Sequence, residues 1–380
     1  MDSLDFEKSK NILKKILSHD KFLSLIAEKI EDNERITVDE GLQLYECKNL
    51  SALSLLANKK RKQINGNFVF FNKNFHIEPT NICVYNCRFC SYRRTVKDTD
   101  SWDYSIAEML KICKNHSGKN ISEVHIVGGV HPNHDLNFYC TLIAEIKKIL
   151  PNVHIKAFTA VELDYMINKA NLTLEEGLLK LKNVGLNSIP GGGAEIFDKE
   201  IRTQICYQKS DSNTWLKIHK TAHKIGITSN ASILFGHIET YRHRINHLDM
   251  LRNLQDETKG FNAFIPLKYK NLNNAISKIG EVNDIEVLKN FAVSRIFLDN
   301  IKHIKSYWPM LGKNLAAFAL HFGADDMDGT IDDTTKIYSM AGAEEKNPAM
   351  TTAEMVKFIK ELGFTPVERD SVYNKLNVFE

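Results

Sequence analysis

From about residue 67 onwards the chain alternates short β-rich runs with longer stretches whose apolar residues recur at helical spacing. No other feature narrows the fold as much. The runs are Phe68–His76, Glu123–Val127, His154–Thr159, Ser188–Pro190, Ser229–Phe235 and Ala263–Leu267, with weaker ones at His303–Trp308 and Ala324–Met327. Helix candidates between them include Asn137–Leu150, Asp211–Ile225 and Arg242–Thr258; in the second, Trp215, Ile218, Ala222 and Ile225 share one helical face. Strands that alternate with helices imply parallel βαβ units. About eight units fit the available length, so the expected fold class is α/β, a (β/α) barrel of TIM type, complete or nearly complete. Thr351-x-x-Glu354 is a capping-box pattern that opens a last helix to Leu362, and Gly363 suits its C-terminal end.

Residues 1–66 do not share this rhythm. They are rich in Lys, Leu, Glu and Asn, and Phe6–Leu17 and Leu50–Gln63 carry apolar residues at helical intervals. They read as a helical N-terminal extension, a packing cap without chemistry that ends near Asn65-Gly66. With no Pro/Gly-rich linker and no solenoid repeat, the expected organisation is this extension (1–66) and one barrel with a C-terminal helix (67–380).

Charge and cysteine usage exclude several functions. The 50 basic and 47 acidic side chains are scattered and nearly balanced, which gives no footing for nucleic acid or a membrane surface. No apolar run approaches the length of a membrane span, and MDSLDFEKSK lacks the apolar core of a signal peptide. Of seven cysteines, Cys47, Cys113, Cys140 and Cys206 are dispersed, unlike a secreted disulfide framework. A reducing cytosol is the expected compartment.

The other three cysteines carry the chemistry. In HIEPTNICVYNCRFCSYRR, His76 to Arg94, Cys83, Cys87 and Cys90 form a C-x3-C-x2-C run with Phe89 beside the third. Three thiolates on one loop can hold three irons of a cubane cluster and leave the fourth iron open to another ligand. Electron-carrying clusters normally use four cysteines, and structural zinc sites close with four ligands; this loop has no fourth Cys or His at ligand spacing. The alternative is three buried structural cysteines. The run resembles the radical S-adenosylmethionine (SAM) superfamily, in which the open iron chelates the amino and carboxylate groups of SAM.

In a barrel the functional loops follow the carboxyl ends of the strands, and the cysteine loop follows the first. After the second strand comes Val127-Gly128-Gly129-Val130-His131-Pro132; similar paired glycines in radical SAM enzymes receive the methionine amino group, so a side chain at Gly129 should compete with SAM and leave the cluster alone. Thr159-Ala160-Val161-Glu162 follows the third strand and Pro190-Gly191-Gly192-Gly193-Ala194-Glu195 the fourth. The triple glycine lacks the Lys-Ser/Thr end of a P-loop, and reads as a loop crowded against a ligand. Glu162 and Glu195 are candidates for ribose hydroxyls or the SAM ammonium, and equally for plain helix-start carboxylates; they are also the two candidate catalytic groups. The fifth strand, with Ser232 and Leu234, is similar to the segment that packs on the adenine of SAM. His219 and His223 lie four apart on a helix but have no acid at zincin spacing, so they read as core or surface histidines.

The blocks EVHIVGGVHP, HIKAFTAVE, PGGGAEIF, SNASILFGHIET, AFIPLKY and HFGADDMDGT, with the cysteine loop, resemble the aminofutalosine synthases of the futalosine route to menaquinone. The likeness runs from about residue 40 to Arg369 and is strongest between residues 76 and 240. It departs near residue 268, where the family has small residues and a proline and this chain has the polar LKYKNLNNAI. The resemblance implies a [4Fe-4S] cluster, SAM as co-substrate and an electron donor such as flavodoxin or ferredoxin. It implies addition of the 5′-deoxyadenosyl radical to 3-[(1-carboxyvinyl)oxy]benzoate, giving 6-amino-6-deoxyfutalosine, methionine and CO2 or bicarbonate. Arg295 and Lys305 are cationic candidates for the substrate carboxylates. Runner-up readings are the cyclic dehypoxanthinylfutalosine and 7,8-didemethyl-8-hydroxy-5-deazariboflavin synthases, and, from another class, a non-catalytic iron–sulfur or zinc protein.

Overall fold

The computed structural model describes residues 20–331, 335–346 and 348–380, so the amphipathic stretch Phe6–Leu17 lies outside the described residues. Seven parallel strands follow one another around one sheet in sequence order: β2 (Asn74–Ile77), β3 (Glu123–Ile126), β4 (His154–Ala157), β5 (Ser188–Ile189), β6 (Thr228–Phe235), β7 (Phe261–Lys268) and β8 (His303–Ile304). A second sheet has the order β11 (Lys375–Val378), β10 (Thr365–Arg369), β1 (Phe68–Asn72), β9 (Asp326–Gly329).

The two sheets join at both ends of the first. β1 and β2 belong to one extended segment interrupted only at Lys73. On the far side, Asp325 N–H donates to Ile304 O (3.0 Å) and Ser306 N–H to Asp326 O (2.7 Å), which links β8 to β9. β9 then pairs in parallel with β1 from Phe70 and Asp326 onwards. The ring thus runs from β2 to β8, across β9, and back to β1. It is an α/β barrel with its hydrogen bonding carried all the way round.

Its core follows from the alternation read in the sequence. Val124, Ile126, Ile155, Ala157, Ile189, Ala231, Ile233 and Phe264 are buried on the strands. Leu142, Ile143 and Ile146 of the helix Leu136–Ile149 belong to the same core. In the helix Ser212–Lys224, Trp215, Ile218 and Ala222 are buried as their spacing requires. The expected capping box at Thr351 and Glu354 opens the helix Thr352–Glu361, and Gly363 follows it at φ 81°.

Among the described residues, three helices, Lys21–Glu31, Val38–Glu46 and Leu50–Asn65, precede the first strand. Tyr45 stacks on Tyr241 at 5.1 Å and donates to Asn290 Oδ1 at 2.7 Å, and Arg35 reaches both Asp256 and Asp299. Aromatic stacking and ion pairs therefore tie this part of the chain to two barrel helices, Tyr241–Thr258 and Asp284–Phe297.

One element was not legible. The sequence reading ends on the helix at 352–362, whereas β10 and β11 follow it as an antiparallel pair. Thr-Pro-Val-Glu-Arg looks like surface, with a proline and two charges. Yet Glu368 and Arg369 are buried, because Arg369 Nε donates to Asp326 Oδ2 of β9 at 2.6 Å. Removing one member of a buried ion pair strands the other, at a cost of roughly 3–5 kcal/mol. Arg369→Met is expected to lower unfolding stability by about that amount in urea titration, and Arg369→Lys by less.

Candidate active site

The carboxyl ends of the strands surround a cavity of ≈ 320 Å³. One side of its rim is the cysteine loop, from which Phe89, Cys90, Ser91 and Tyr92 face inward. The rim continues through Gly128, Thr159, Gly191–Gly193, Glu195, Ser232 and Leu234. Ile265, Leu267, Tyr307 and Tyr338 form an apolar wall, and beneath them lie His76, Glu123, His125, Lys156, Asn230, Lys305 and Asp328.

The cysteine loop has almost no regular structure, and backbone bonds from distant segments fix it. Cys83 N–H donates to Arg94 O, Val84 N–H to Val130 O beyond β3, and Arg88 N–H to Ile205 O in the helix Lys199–Cys206. Burial raises the pKa of Cys83 and Cys90 and pushes the Cys87 thiol up to about 12, while Lys209 pulls Cys87 and Cys90 back. Thiols in such a place ionise readily only when a cation joins them, as iron would. The donor set therefore fits a cluster held by three cysteines, with the side facing the cavity left open. A fourth thiol, Cys206, is buried within electrostatic reach of Cys87.

Glu195 is bound on three sides. Its side chain pairs with Lys209, its carbonyl accepts Leu234 N–H at 2.9 Å, and its φ of 45° places it in the left-handed region. Such a backbone costs a non-glycine residue about 1 kcal/mol or more and persists only where its surroundings impose it. Phe158, just before Thr159, has φ 62° for a comparable reason: its N–H is held by Ile126 O at 2.9 Å. Burial works against the Lys209 ammonium, but Glu195 and the cysteines outweigh it and keep its pKa above the ordinary lysine value. Lys209 also lies 5.1 Å from the centre of the Phe89 ring, so one cation connects Glu195, Phe89 and the cluster loop.

Several sequence candidates are placed differently from the expectation. A Cβ on Gly129 would stand 2.4 Å from Ile82 O, and one on Gly128 would stand 2.8 Å from Thr80 O. These glycines let the exit of β3 lie against the backbone that leads into Cys83, with Gly129 N–H donating to Thr80 O at 2.7 Å. The space at Gly129 is thus taken by the cysteine loop itself. Glu162 is spent within the protein: it accepts from Thr159 N–H and Oγ1 at 2.7 Å and from Gly128 N–H at 3.2 Å. Burial pushes its carboxyl up to about 7 against those bonds. Arg295 is the clearest correction. It is fully buried away from the cavity, paired with Asp325 at 2.5 Å and donating to the carbonyls of Gly323 and Lys302. Lys305 does line the cavity, in an ion pair with Asp328.

Of the histidine pair, His219 is buried and His223 half-buried: both bond Ser229 Oγ at 2.7 Å, and His219 stacks on Trp215. A further trio, Asp103, His131 and His134, converges closely enough to suggest a metal. Within it, His134 Nε2 lies 3.0 Å and His131 Nε2 3.5 Å from Asp103, and His131 Nδ1 accepts Asn133 N–H. Lys209, Tyr338, His125, Lys156, Asn230 and Asp328 are not among the residues that the sequence marks as candidates. Most face the cavity from inward positions on strands, where a polar residue among apolar neighbours was the available signal.

A closed parallel barrel with an open three-cysteine loop at its carboxyl end defines a radical SAM enzyme. Residues 77–251 match the radical SAM superfamily, and residues 258–380 match the CofH/MqnC C-terminal region. The chain is 38% identical over 359 residues to the aminodeoxyfutalosine synthase of Thermus thermophilus, covering 93% of this chain and 96% of that protein. It is 37% identical over 352 residues to the 5-amino-6-(D-ribitylamino)uracil–L-tyrosine 4-hydroxyphenyl transferase of Methanocaldococcus jannaschii, covering 90% and 98%. The fold is shared with methylornithine synthase at TM-score 0.72 and 18% identity, covering 90% of this chain and 97% of that one. The chain belongs to the family of the aminodeoxyfutalosine synthases. No helix among the described residues is long and apolar enough to cross a membrane.

Five substitutions test which residues act as cluster ligands and which support them. Cys83→Ala, Cys87→Ala and Cys90→Ala are each expected to abolish iron retention after anaerobic reconstitution, whereas Cys206→Ser should keep the full iron content. Iron loss in Cys206→Ser would make it a ligand. Gly129→Ala is expected to lose cluster, not only SAM affinity, because its methyl meets backbone of the cysteine loop; iron content and the visible spectrum measure this.

Proposed function

We propose that the chain is an aminodeoxyfutalosine synthase, which joins the 5′-deoxyadenosyl group of SAM to 3-[(1-carboxyvinyl)oxy]benzoate and gives 6-amino-6-deoxyfutalosine, methionine and CO2 or bicarbonate. The observation that carries this reading is the single cavity that runs from Cys90 and the glycine rim down to a polar floor. The cysteine loop and the glycines line its upper part, and charged and polar side chains line its lower part beneath an apolar wall.

Cys83, Cys87 and Cys90 would hold a [4Fe-4S] cluster, and Thr159, Gly191–Gly193, Glu195, Ser232 and Leu234 would surround SAM. When bound and reduced, the cluster supplies the electron that splits SAM into methionine and a 5′-deoxyadenosyl radical. Gly191 allows the loop after β5 to touch β6: its Cβ would stand 2.7 Å from Ala231 C, and Ser232 Oγ donates to Gly191 O at 2.6 Å. Loop and strand thereby form one surface for the nucleoside. Ile265, Leu267, Tyr307 and Tyr338 exclude water from the space where the double bond must meet the adenosyl carbon. A flavodoxin or ferredoxin in a reducing cytosol would deliver the electron.

SAM labelled in its adenosine moiety tests the reaction class. Incubated with the reduced holoenzyme and 3-[(1-carboxyvinyl)oxy]benzoate, the label is expected in a product that carries both adenine and the benzoate ring. Label leaving only as free 5′-deoxyadenosine while the substrate is consumed would point to hydrogen abstraction, as in a dehypoxanthinylfutalosine cyclase. A product formed only from tyrosine and 5-amino-6-(D-ribitylamino)uracil would assign the activity of the transferase relatives.

A further inference from the structure

We propose that Lys156, Lys305 and His125, at the floor of the cavity, form the subsite for the ring carboxylate of the aromatic substrate; this rests on the function proposed above. The argument starts from depth. His125 lies three residues before Gly128 on the way out of β3, Lys156 three before Thr159 and Asn230 two before Ser232. At about 3.3 Å per residue the floor is roughly 7–10 Å below the rim, the span of an aromatic ring with a short arm. The enolpyruvyl double bond must stay at the rim, where SAM is cleaved. The meta carboxylate, at the far end of the ring, then points down.

The floor has the chemistry to receive it. Lys156 Nζ donates to Glu123 Oε2 at 2.7 Å, and Lys305 Nζ donates to Asp328. Each ammonium has three N–H donors, and among the described residues neither has a second hydrogen-bond acceptor. His125 lines the same floor, and its Nε2 is buried with no hydrogen-bond partner among the described residues. Ion pairs in such a place contribute little to stability that apolar side chains would not supply as well. Unspent donors beneath an apolar wall make sense as ligand contacts: a carboxylate satisfies them, and a ligand without one leaves them unpaired.

The test pairs a change in the ligand with a change in the protein. Binding of 3-[(1-carboxyvinyl)oxy]benzoate and of 2-phenoxyprop-2-enoate, which lacks the ring carboxylate, is measured by calorimetry on the oxidised holoenzyme with SAM, so turnover is not needed. The wild type is expected to prefer the benzoate by roughly 10- to 100-fold, the range of a few charge-assisted hydrogen bonds. Lys305→Gln and His125→Ala should each erase most of that preference by weakening the benzoate alone. His125→Ala removes no member of an ion pair, so it decides the matter if Lys305→Gln does not fold. Equal wild-type affinity for both ligands, or variants that weaken both alike, would overturn the subsite while leaving the proposed reaction standing. A holoenzyme that cleaves SAM but neither binds nor converts the benzoate would overturn the proposed function, and the subsite with it.

Discussion

Three acids on one short stretch, Asp325, Asp326 and Asp328, hold the ring closed. Each takes a cation from a different part of the chain: Arg295 from the helix Asp284–Phe297, Arg369 from β10, and Lys305 from the end of β8. Asp325 also accepts from His303 Nδ1 and from Asn65 at the end of the third N-terminal helix. Single buried ion pairs rarely add stability, because desolvation takes back what attraction provides. A row of them with different partners does something else: it specifies which element lies where. β8 and β5 are only two residues each, so hydrogen-bond ladders alone would fix the barrel loosely at these points. Charge pairing sets the position of β9, and with it the β8–β9–β1 junction.

The cysteine loop depends on that ring in turn. It takes backbone bonds from the exits of several barrel units, so its shape is the sum of their positions. At Gly128 and Gly129 bare backbone lies against backbone at Thr80 and Ile82. Glu162 latches the same exit to the next one by bonding Gly128 N–H and the Thr159 cap together. A glutamate in that role needs no contact with SAM to matter for it.

What the sequence revealed follows from the range of each signal. Strand–helix alternation and the C-x3-C-x2-C spacing are local patterns, so the barrel and the metal loop were both legible. Buried charge is not local. Arg295 and Lys305 look alike in the chain, yet one is enclosed with Asp325 outside the cavity and the other lines it, and only the fold separates them. The β10–β11 pair was missed for the same reason, since Arg369 becomes a core residue only when Asp326 is beside it. In the chain Glu162 and Glu195 look alike, each a helix-start or a ligand carboxylate. Glu162 is the capping residue, while Glu195 faces the cavity with Lys209 behind it.

The polar segment after β7, LKYKNLNNAI, has a structural account in the same terms. Lys268 and Lys270 both reach Glu281, and Tyr269 donates to Asn274 Oδ1, so this segment is braced on itself. It is also fastened to the cysteine loop: Ser91 Oγ donates to Leu272 O at 2.6 Å, and Ala275 N–H donates to Arg88 O at 2.8 Å. The segment after Lys268 has no proline to fix its backbone until well past Glu281, so its order rests on these partners. Lys268, Tyr269 and Lys270 also line the cavity, so this part of its wall and the loop that carries Cys90 are joined by direct hydrogen bonds.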